Sequence, residues 1–456
     1  MKLKRLHLIL AAILLYTATA FTNVQINEIN FPDENFRNWL LAQPFGSDGV
    51  ITDVEIASIR TIDVSNQNIS DLTGIRFFTN LEFLNCRENQ LTSLDVSELT
   101  RLDRLWCDGN QITSLNLSGL TSLRRLSSAD NQLTSVDLSE LIRLEAVWFT
   151  NNQLTSLDVS GLTNIQELHL RNNQLISLDV SNLVNLERLN CNENQLTSLN
   201  VSGLTNLEIL NSNDNQLTSL DASGLTNLER LYVRNNRLTS LNVSGLTNLK
   251  YLTCRGNLLN SLDVSDLINL EELLCFDNQL TSLDVSGLIN FRNLQCNNNR
   301  LTSLNVSGLI NLERLNCSHN ELVSLDLTGI NLIAFDFRYQ SPILTLRGAN
   351  NNYRVEINLN NPTELVAGLS YFGGTLTSIN RAITSSPFRV RVTGANLSLS
   401  GALTLRYETE TSIREINANR QAIGFYTITG IKLHTEPQSG IFIILYDDGT
   451  SEKVMK

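Results

Sequence analysis

The sequence predicts a solenoid of short, mostly-β repeats that share one parallel sheet. A motif of 21 residues recurs without a break, and each copy carries an asparagine at the same place. Aliphatic residues also return at fixed positions in every copy, so stacked copies could bury them in one continuous core. The twelve anchor asparagines are Asn89, Asn110, Asn131, Asn152, Asn173, Asn194, Asn215, Asn236, Asn257, Asn278, Asn299 and Asn320.

Each copy is expected to contribute one short strand to the sheet. In the copy anchored at Asn194, side chains alternate in direction between Leu189 and Cys191, which is typical of a strand. Residues 197–202 are expected to form a second short extended segment, because the repeat leaves no room for a long helix. The side chains of this copy that are expected to point inward are Leu186, Leu189, Cys191, Leu196, Leu199, Val201 and Leu204.

Two polar columns accompany the aliphatic ones. Each anchor asparagine is expected to turn inward where a strand ends and to bond backbone groups of the turn, which are costly to bury without partners. Six residues later, Asp and Asn replace each other freely, which favours a turn cap over a calcium ladder, since calcium needs more carboxylates per site. This second column contains Asp95, Asp137, Asp158, Asp179, Asp221, Asp263, Asp284, Asp326, Asn116, Asn200, Asn242 and Asn305.

All seven cysteines lie three residues before an anchor asparagine, in one inward column. Neighbouring side chains on parallel strands point the same way, which is poor geometry for a disulfide. We therefore expect free thiols that serve as small buried apolar groups. A zinc site is not expected, because no pair of cysteines has ligand spacing. The cysteines are Cys86, Cys107, Cys191, Cys254, Cys275, Cys296 and Cys317.

The core of the motif, L-x-x-L-x-L-x-x-N-x-L, resembles the leucine-rich repeat. The predicted repeat domain covers residues 62–333 and begins with a looser copy at 62–69. The run from Asp71 to Ile75, followed by Leu81, resembles the entry into internalin-type surface proteins. That resemblance implies a helical cap before the repeats, a β module after them, and a role in adhesion.

Residues 1–20 have the pattern of an export signal. Three basic residues precede an apolar run over 6–16, and Ala18 and Ala20 frame a cleavage site. The run is too short to span a membrane permanently, although a membrane anchor is the alternative. We expect a protein that is secreted or held on the outer cell surface and that meets a membrane only during export.

Residues 21–61 are expected to form a small helical N-terminal cap. The Pro-Asp-Glu sequence at 32–34 suits a helix start, and Phe31, Phe36, Trp39, Leu40 and Leu41 then have helical spacing.

A later loop in the cap has part of a calcium-binding spacing. Its first two ligand positions would fall on Pro44 and Gly46, which offer no side-chain oxygen, so we interpret it as a vestigial loop between two short helices. The residues that fit the spacing are Asp48, Gly49, Ile51 and Glu55.

Residues 334–422 lose the period and are expected to form a small antiparallel β module. The segments that alternate like strands are 344–346, 353–357, 388–392 and 403–407. Such a module would also cover the open edge of the last repeat.

Residues 423–456 resemble the C-terminal sorting domain of Bacteroidetes cargo proteins of the type IX secretion system. The resemblance rests on Tyr426, Gly430 and Leu433, on the run at 440–443, and on a terminal lysine. The alternative is a last hairpin of the β module.

No catalytic pattern is found, and we expect a non-enzymatic protein without cofactor or metal. His169, His319 and His434 lack zinc-binding spacing, and no nucleophile motif or phosphate-binding glycine loop occurs. The remaining enzymatic alternative is an unrecognised site within 334–420. The formal net charge of -12 argues against nucleic acid as a partner.

The strand side chains that point out of the sheet predict two binding patches, because Trp, Tyr and Arg dominate binding hot spots. The first contains Trp106, Trp148 and His169, flanked by Arg104, Arg125 and Arg171. The second contains Tyr232, Arg230 and Arg234. The expected partner is a host or bacterial surface protein. A glycan stacked on Trp106 and Trp148, or a structural role in a surface layer, are the alternatives.

Overall fold

A computed structural model describes residues 23–322 throughout and, between 323 and 456, the strands and a few residues around them. The predicted export signal at 1–20 lies outside the described residues. The chain divides into two compact units, Met1–Leu196 and Thr197–Lys456. The fold class predicted from the sequence is confirmed, because the repeats form a mostly-β, parallel-sheet solenoid of about 12 turns with about 21 residues in each.

The first unit begins with two short helices and an antiparallel pair of strands, followed by a single 3-10 turn at Ile75–Phe77. The helices are α1 (Glu34–Leu41) and α2 (Asp53–Ser58), and the strands are β1 (Val24–Gln25) and β2 (Val50–Ile51).

Helix α1 starts where the sequence predicts. The carboxylate of Asp33 accepts the backbone N–H of Phe36 at 2.9 Å and caps the helix. Phe36 and Leu40 are buried beneath it. Leu41, which was expected on the same face, is 40% exposed, because the helix ends there and its side chain falls outside the apolar stripe.

The loop with partial calcium spacing does lie between the two helices. The Glu55 carboxylate accepts the backbone N–H of Thr52 at 2.8 Å and its hydroxyl at 2.7 Å. The Thr52 hydroxyl in turn accepts the N–H of Glu55, which completes a capping box for α2. Asp48 accepts the backbone N–H of Val50 at 3.1 Å. Both carboxylates are thus engaged in local helix and turn caps.

Each repeat contributes one three-residue strand to a parallel sheet, here called the main sheet, and neighbouring strands pair in register one repeat apart. In the first unit these strands are β3 (Thr61–Asp63), β4 (Phe83–Asn85), β6 (Arg104–Trp106), β8 (Arg125–Ser127), β9 (Ala146–Trp148), β10 (Glu167–His169) and β11 (Arg188–Asn190). In the second unit they are β12 (Ile209–Asn211), β14 (Arg230–Tyr232), β16 (Tyr251–Thr253), β17 (Glu272–Leu274), β18 (Asn293–Gln295), β19 (Arg314–Asn316) and β21 (Ala334–Asp336).

The second extended segment forms a strand in only some repeats. Residues 197–202, expected to be a short extended segment with turns, do not pair as a strand; the segment starts with a bend at 197, enters a turn at 202 and has no regular structure between them. Described strands outside the main sheet, within the repeats, are β5 (Ser93–Asp95), β7 (Ser114–Asn116), β13 (Ser219–Asp221), β15 (Ser240–Asn242) and β20 (Ser324–Leu327). β5 pairs with β7 and β13 pairs with β15, in parallel.

The inward columns are confirmed. In the copy anchored at Asn194, none of the predicted inward side chains is more than 7% exposed. The seven cysteines are also fully buried, and they are free thiols. Burial, which disfavours the thiolate, raises the pKa of Cys191 and of Cys254 to about 12. The cysteine column therefore consists of unreactive apolar packing groups.

The anchor asparagines bond the backbone of two consecutive repeats, as predicted. The Asn110 amide donates to the carbonyls of Cys86 and Cys107, each at 3.0 Å, and its oxygen accepts the N–H of Leu91 at 3.0 Å. The residue before the anchor has a positive φ, between 51° and 65°, in all twelve repeats. Asn, Asp and Gly fill most of these positions, since these residues adopt the left-handed conformation at least cost.

The second polar column is confirmed as a turn cap. Asp137 accepts the backbone N–H of Ser139 at 2.9 Å, and ten further members bond the equivalent serine in the same way. This backbone bond is the main cause of the lowered pKa of Asp137, and it outweighs the repulsion from Asp158 on the next repeat.

After the repeats, the described strands pair with one another in antiparallel fashion, and one of them also pairs in parallel with a strand of the repeats. β22 (Ile343–Gly348) pairs in parallel with β20 and antiparallel with β23 (Arg354–Asn358), which pairs with β26 (Arg389–Thr393). Three of the four predicted segments are therefore strands, and 403–407 lies outside the described residues. The remaining strands are β24 (Leu369–Phe372), β25 (Thr375–Ser378), β27 (Ala422–Thr427), β28 (Lys432–Leu433), β29 (Ile441–Tyr446) and β30 (Ser451–Met455). Among the described helices, none has the length and apolarity needed to cross a membrane.

The anchor bonds predict a large loss of stability in Asn110→Ala. The change leaves the carbonyls of Cys86 and Cys107 and the N–H of Leu91 buried without partners, at a cost of about 3 kcal/mol in the free energy of unfolding. Urea denaturation followed by circular dichroism measures it. Asn164→Ala is the matched control, because the exposed Asn164 amide makes one bond at 2.9 Å, to the carbonyl of Ile142. Equal losses in the two variants would contradict the proposed role of the anchor.

Candidate binding face of the main sheet

The first predicted patch follows one outward column across four strands of the first unit. The strand register places Trp106 opposite Ser127, Ser127 opposite Trp148, and Trp148 opposite His169. The two tryptophans are therefore two strands, roughly 10 Å, apart, as predicted. They are half-buried rather than fully exposed, since their rings lie against neighbouring side chains on the sheet.

Trp106 is enclosed by residues of the preceding repeat. Its ring centroid lies 4.6 Å from that of Phe83, edge to face, and the Arg87 guanidinium lies 4.3 Å from the centroid. Arg87 also pairs with Asp108, which accepts the backbone N–H of Ala129 at 2.9 Å. The Trp106 ring is thus held in place by an edge-to-face contact and a cation–π contact.

Trp148 and His169 form a stacked ring pair on adjacent strands. Their centroids are 6.0 Å apart and their planes differ by 16°. The Nε2 atom of His169 lies 3.5 Å from the Glu167 carboxylate, whose other oxygen accepts from Arg188 at 2.8 Å. Burial lowers the pKa of His169 below 6.5, because it disfavours the charged ring more than Glu167 favours it. The two rings therefore form a nearly parallel, neutral aromatic pair on this face.

The predicted arginines of the first patch have separate surroundings. Arg104 pairs with Asp103 at 3.2 Å, and its guanidinium lies 5.4 Å from the Phe83 centroid, so it belongs with Trp106. Arg171 pairs with Glu193 at 3.0 Å, and Arg125 is exposed. No recorded contact in the described part of the chain joins Arg125 or Arg171 to the ring pair.

The second patch is arranged differently from the prediction. Arg230 lies over the ring of Tyr251, at 5.3 Å from its centroid, rather than beside Tyr232. Arg234 pairs with Asp214 at 3.2 Å, and Tyr232 is half-buried on β14. Tyr251 itself donates its hydroxyl to Glu271 at 3.3 Å. The arginine therefore contacts the aromatic ring of the following strand.

Sequence reasoning missed three aromatic members of this face, which are Phe83, Tyr251 and Phe276. Arg255 lies 5.1 Å from the Phe276 centroid, in the same arrangement as Arg230 and Tyr251. The signal was an arginine in the same column as an aromatic residue, one repeat before or after it. No group of three His, Cys, Asp or Glu side chains that could hold a metal ion occurs among the residues described.

The chain is similar to known leucine-rich-repeat proteins. The family model for leucine-rich repeats (two copies) matches residues 79–120. Among solved structures, the functional domain of InlJ from Listeria monocytogenes, which includes a cysteine ladder, is 32% identical with a TM-score of 0.65, over 71% of this chain and 73% of that chain. A leucine-rich-repeat protein of Leptospira interrogans is 26% identical with a TM-score of 0.54, over 63% of this chain and 86% of that chain.

A curated relative matches a shorter segment. Internalin J of Listeria monocytogenes serotype 4b is 35% identical over 71 residues, which are 15% of this chain. The matched segment spans 8% of the length of that protein.

The ring pair predicts a pH-dependent fluorescence signal. Protonation of His169 should quench Trp148, with a midpoint below pH 6.5 because the pKa of His169 is lowered. As pH falls below 6.5, the unfolded chain takes up this proton before the folded chain does, so stability should fall over the same range. Tryptophan emission measured against pH tests this, and His169→Gln should remove the transition. A midpoint at or above pH 6.5 would contradict the buried, neutral ring.

Proposed function

Because this chain belongs to the internalin-type leucine-rich-repeat proteins, we propose that it is a protein-binding scaffold, secreted or held on the cell surface. We further propose that it is an adhesin that recognises a protein of a host or neighbouring cell through the main sheet. The observation that carries the proposal is the Trp148–His169 ring pair, a flat aromatic surface on the outward face. Aromatic side chains on rigid strands lose little entropy on binding, which suits a hot spot.

The contacts on the face divide the predicted residues by role. Trp106 is held between Phe83 and Arg87, so its contribution is to keep the face rigid. Trp148 is half-buried and stacks with the His169 imidazole, so the ring pair is the part of the face that we propose meets a partner. Arg125, on the strand next to that of Trp148, adds positive charge beside this surface, whereas Arg104 is paired with Asp103 and belongs with Trp106.

A glycan-binding module is the second candidate, and the same ring pair favours it. A flat indole can stack on a sugar ring, and the neighbouring Glu167 and Arg188 side chains offer hydrogen bonds to hydroxyl groups. A purely structural role in a surface layer is the third candidate, and it requires no ligand on this face.

We propose that residues 1–20 direct export and that 423–456 act as a type IX sorting domain. The support is the basic-apolar-small pattern at the start of the sequence and the spacing of Tyr426, Gly430 and Leu433 near its end. Tyr426 lies in strand β27, and strand β29 begins within the run at 440–443, so the residues behind the resemblance fall on two strands of the tail.

Replacing Trp148 tests the binding face. The full chain is screened against matrix proteins, receptor ectodomains and glycans, and we expect a protein ligand whose affinity falls at least about tenfold in Trp148→Ala, since a hot-spot aromatic is lost. Surface plasmon resonance measures the affinity. Ile310→Thr is the control, because Ile310 is 68% exposed away from the strands of the main sheet and Thr is common in its column. Undiminished binding by Trp148→Ala would exclude this face, and a glycan as the sole ligand would select the second candidate.

Deleting the tail tests the sorting proposal. In a bacterium with a type IX system, the full chain should reach the outer surface, whereas the chain without 423–456 should stay in the periplasm, because the sorting signal is missing. Protease accessibility on intact cells measures the surface fraction, with the exposed substitution Ile310→Thr in the full chain as a control for expression. Equal surface fractions with and without the tail would refute it.

A further inference from the structure

A second, exposed asparagine column runs along the repeats, nine residues before each anchor. Its amides donate to a carbonyl 22 residues earlier, as Asn164 does to Ile142 at 2.9 Å and Asn185 does to Thr163 at 2.9 Å. The members with this bond are Asn164, Asn185, Asn248, Asn269 and Asn311, and Asn80 makes the equivalent bond to the carbonyl 23 residues earlier. We call this column the outer ladder. Its function is to join consecutive repeats at the entry to the main sheet.

The outer ladder is interrupted in three consecutive repeats of the first unit. Arg101, Ser122 and Arg143 stand where the other repeats have Asn. The same repeats carry Arg124 two residues after Ser122, in a column that is mostly glutamate elsewhere. Three repeats thus give up an inter-repeat bond and gain three arginines, in a chain whose net charge is -12.

These substitutions surround one groove of about 870 Å³. Its acidic lining residues are Glu82, Asp103 and Glu145, and each of them already has an arginine partner. Glu82 pairs with Arg60 at 3.4 Å, Asp103 with Arg104 at 3.2 Å, and Glu145 with Arg124 at 2.6 Å. The outer-ladder residues Asn164 and Asn185 close the far end of the groove.

Two arginines of the groove, Arg101 and Arg143, have no carboxylate partner among the described residues. Both are exposed in the groove. They lie in the same column two repeats, roughly 10 Å, apart. A guanidinium presents a planar fork that matches a carboxylate with two parallel hydrogen bonds. The chain as a whole is acidic, with a net charge of -12, and repels anions elsewhere, so a ligand carboxylate should bind preferentially at these two arginines.

We propose that this groove binds an acidic segment of a partner protein, with two carboxylates received by Arg101 and Arg143. The proposal rests on the proposed function of the chain as a protein-binding scaffold and adds the chemistry of the partner. The paired carboxylates in the lining fix Arg104 and Arg124 in the walls of the groove. Arg101 and Arg143 form no ion pair within the described chain, so their positive charges can match the carboxylates of an acidic segment.

Restoring the outer ladder tests this without disturbing the fold. In Arg101→Asn/Arg143→Asn, each new amide would bond the carbonyl 22 residues earlier, as the neighbouring repeats do. The probe is a fluorescein-labelled oligoglutamate, and its anisotropy with the full chain gives the affinity. We expect binding that weakens with added salt and is about tenfold weaker in the double variant, because two exposed ion pairs are lost.

The matched control is Arg237→Gln/Arg300→Gln. Both residues are exposed arginines in the second unit, in a column where most repeats have Gln, so the change in net charge is the same. Unchanged oligoglutamate binding in this control supports the groove. Equal losses in the two double variants, or no binding to the unaltered chain, would overturn it.

Two further arms separate the alternatives. In the first arm, a heparin oligosaccharide replaces oligoglutamate as the probe. If heparin binding depends on Arg101 and Arg143 and oligoglutamate binding does not, the ligand is a sulfated glycan and the acidic-peptide proposal is overturned. Trp148→Ala should leave oligoglutamate binding unchanged, since Trp148 does not line the groove. If the groove binds oligoglutamate but Trp148→Ala does not weaken binding of the protein ligand, the groove proposal stands and the proposal for the main sheet fails.

Discussion

The structure depends on how the buried turn after each main-sheet strand is hydrogen-bonded. The backbone there takes a left-handed residue and turns into the core, where unpaired carbonyls would be costly. One asparagine amide satisfies two of these carbonyls, in its own repeat and in the one before. This requirement holds the repeat length constant and aligns the leucine columns. Only the outward columns are left free to vary.

That division explains what could be predicted from the sequence. The period, the inward columns, the anchor bonds and the turn caps follow from backbone and core demands, which repeat twelve times and can be read by comparison between copies. The outward face has no such repetition. Its columns were identified correctly, but the partners of Trp106 lie diagonally in the neighbouring repeat, and a reading by single columns cannot pair them. Arg230 and Tyr251 lie in one column on adjacent strands, and that pair was missed because only the arginines of this column were considered. The half-burial of Trp106 follows from its diagonal contacts.

The candidate surfaces differ in how far their charges are already satisfied. Arg87, Arg171 and Arg234 are each matched by a carboxylate of a neighbouring repeat, so they stabilise the face more than they attract a partner. The candidate surface at the Trp148–His169 pair is aromatic and neutral, whereas the candidate groove carries exposed arginines. A partner that contacts both would need an apolar surface next to an acidic segment, which is a demanding combination and hence a source of specificity.

The anchor bond also bears on how such a gene can change length. Because Asn110, Asn131, Asn152 and Asn299 each reach the carbonyl 24 residues earlier, the junction between these repeats and the ones before them is chemically the same. Unequal recombination between copies removes or adds whole units of 21 codons, and every surviving junction still finds its donor and acceptor. The length of the main sheet can thus change between lineages while the packing within each repeat stays the same, whereas recombination out of frame with the period breaks the anchor bonds.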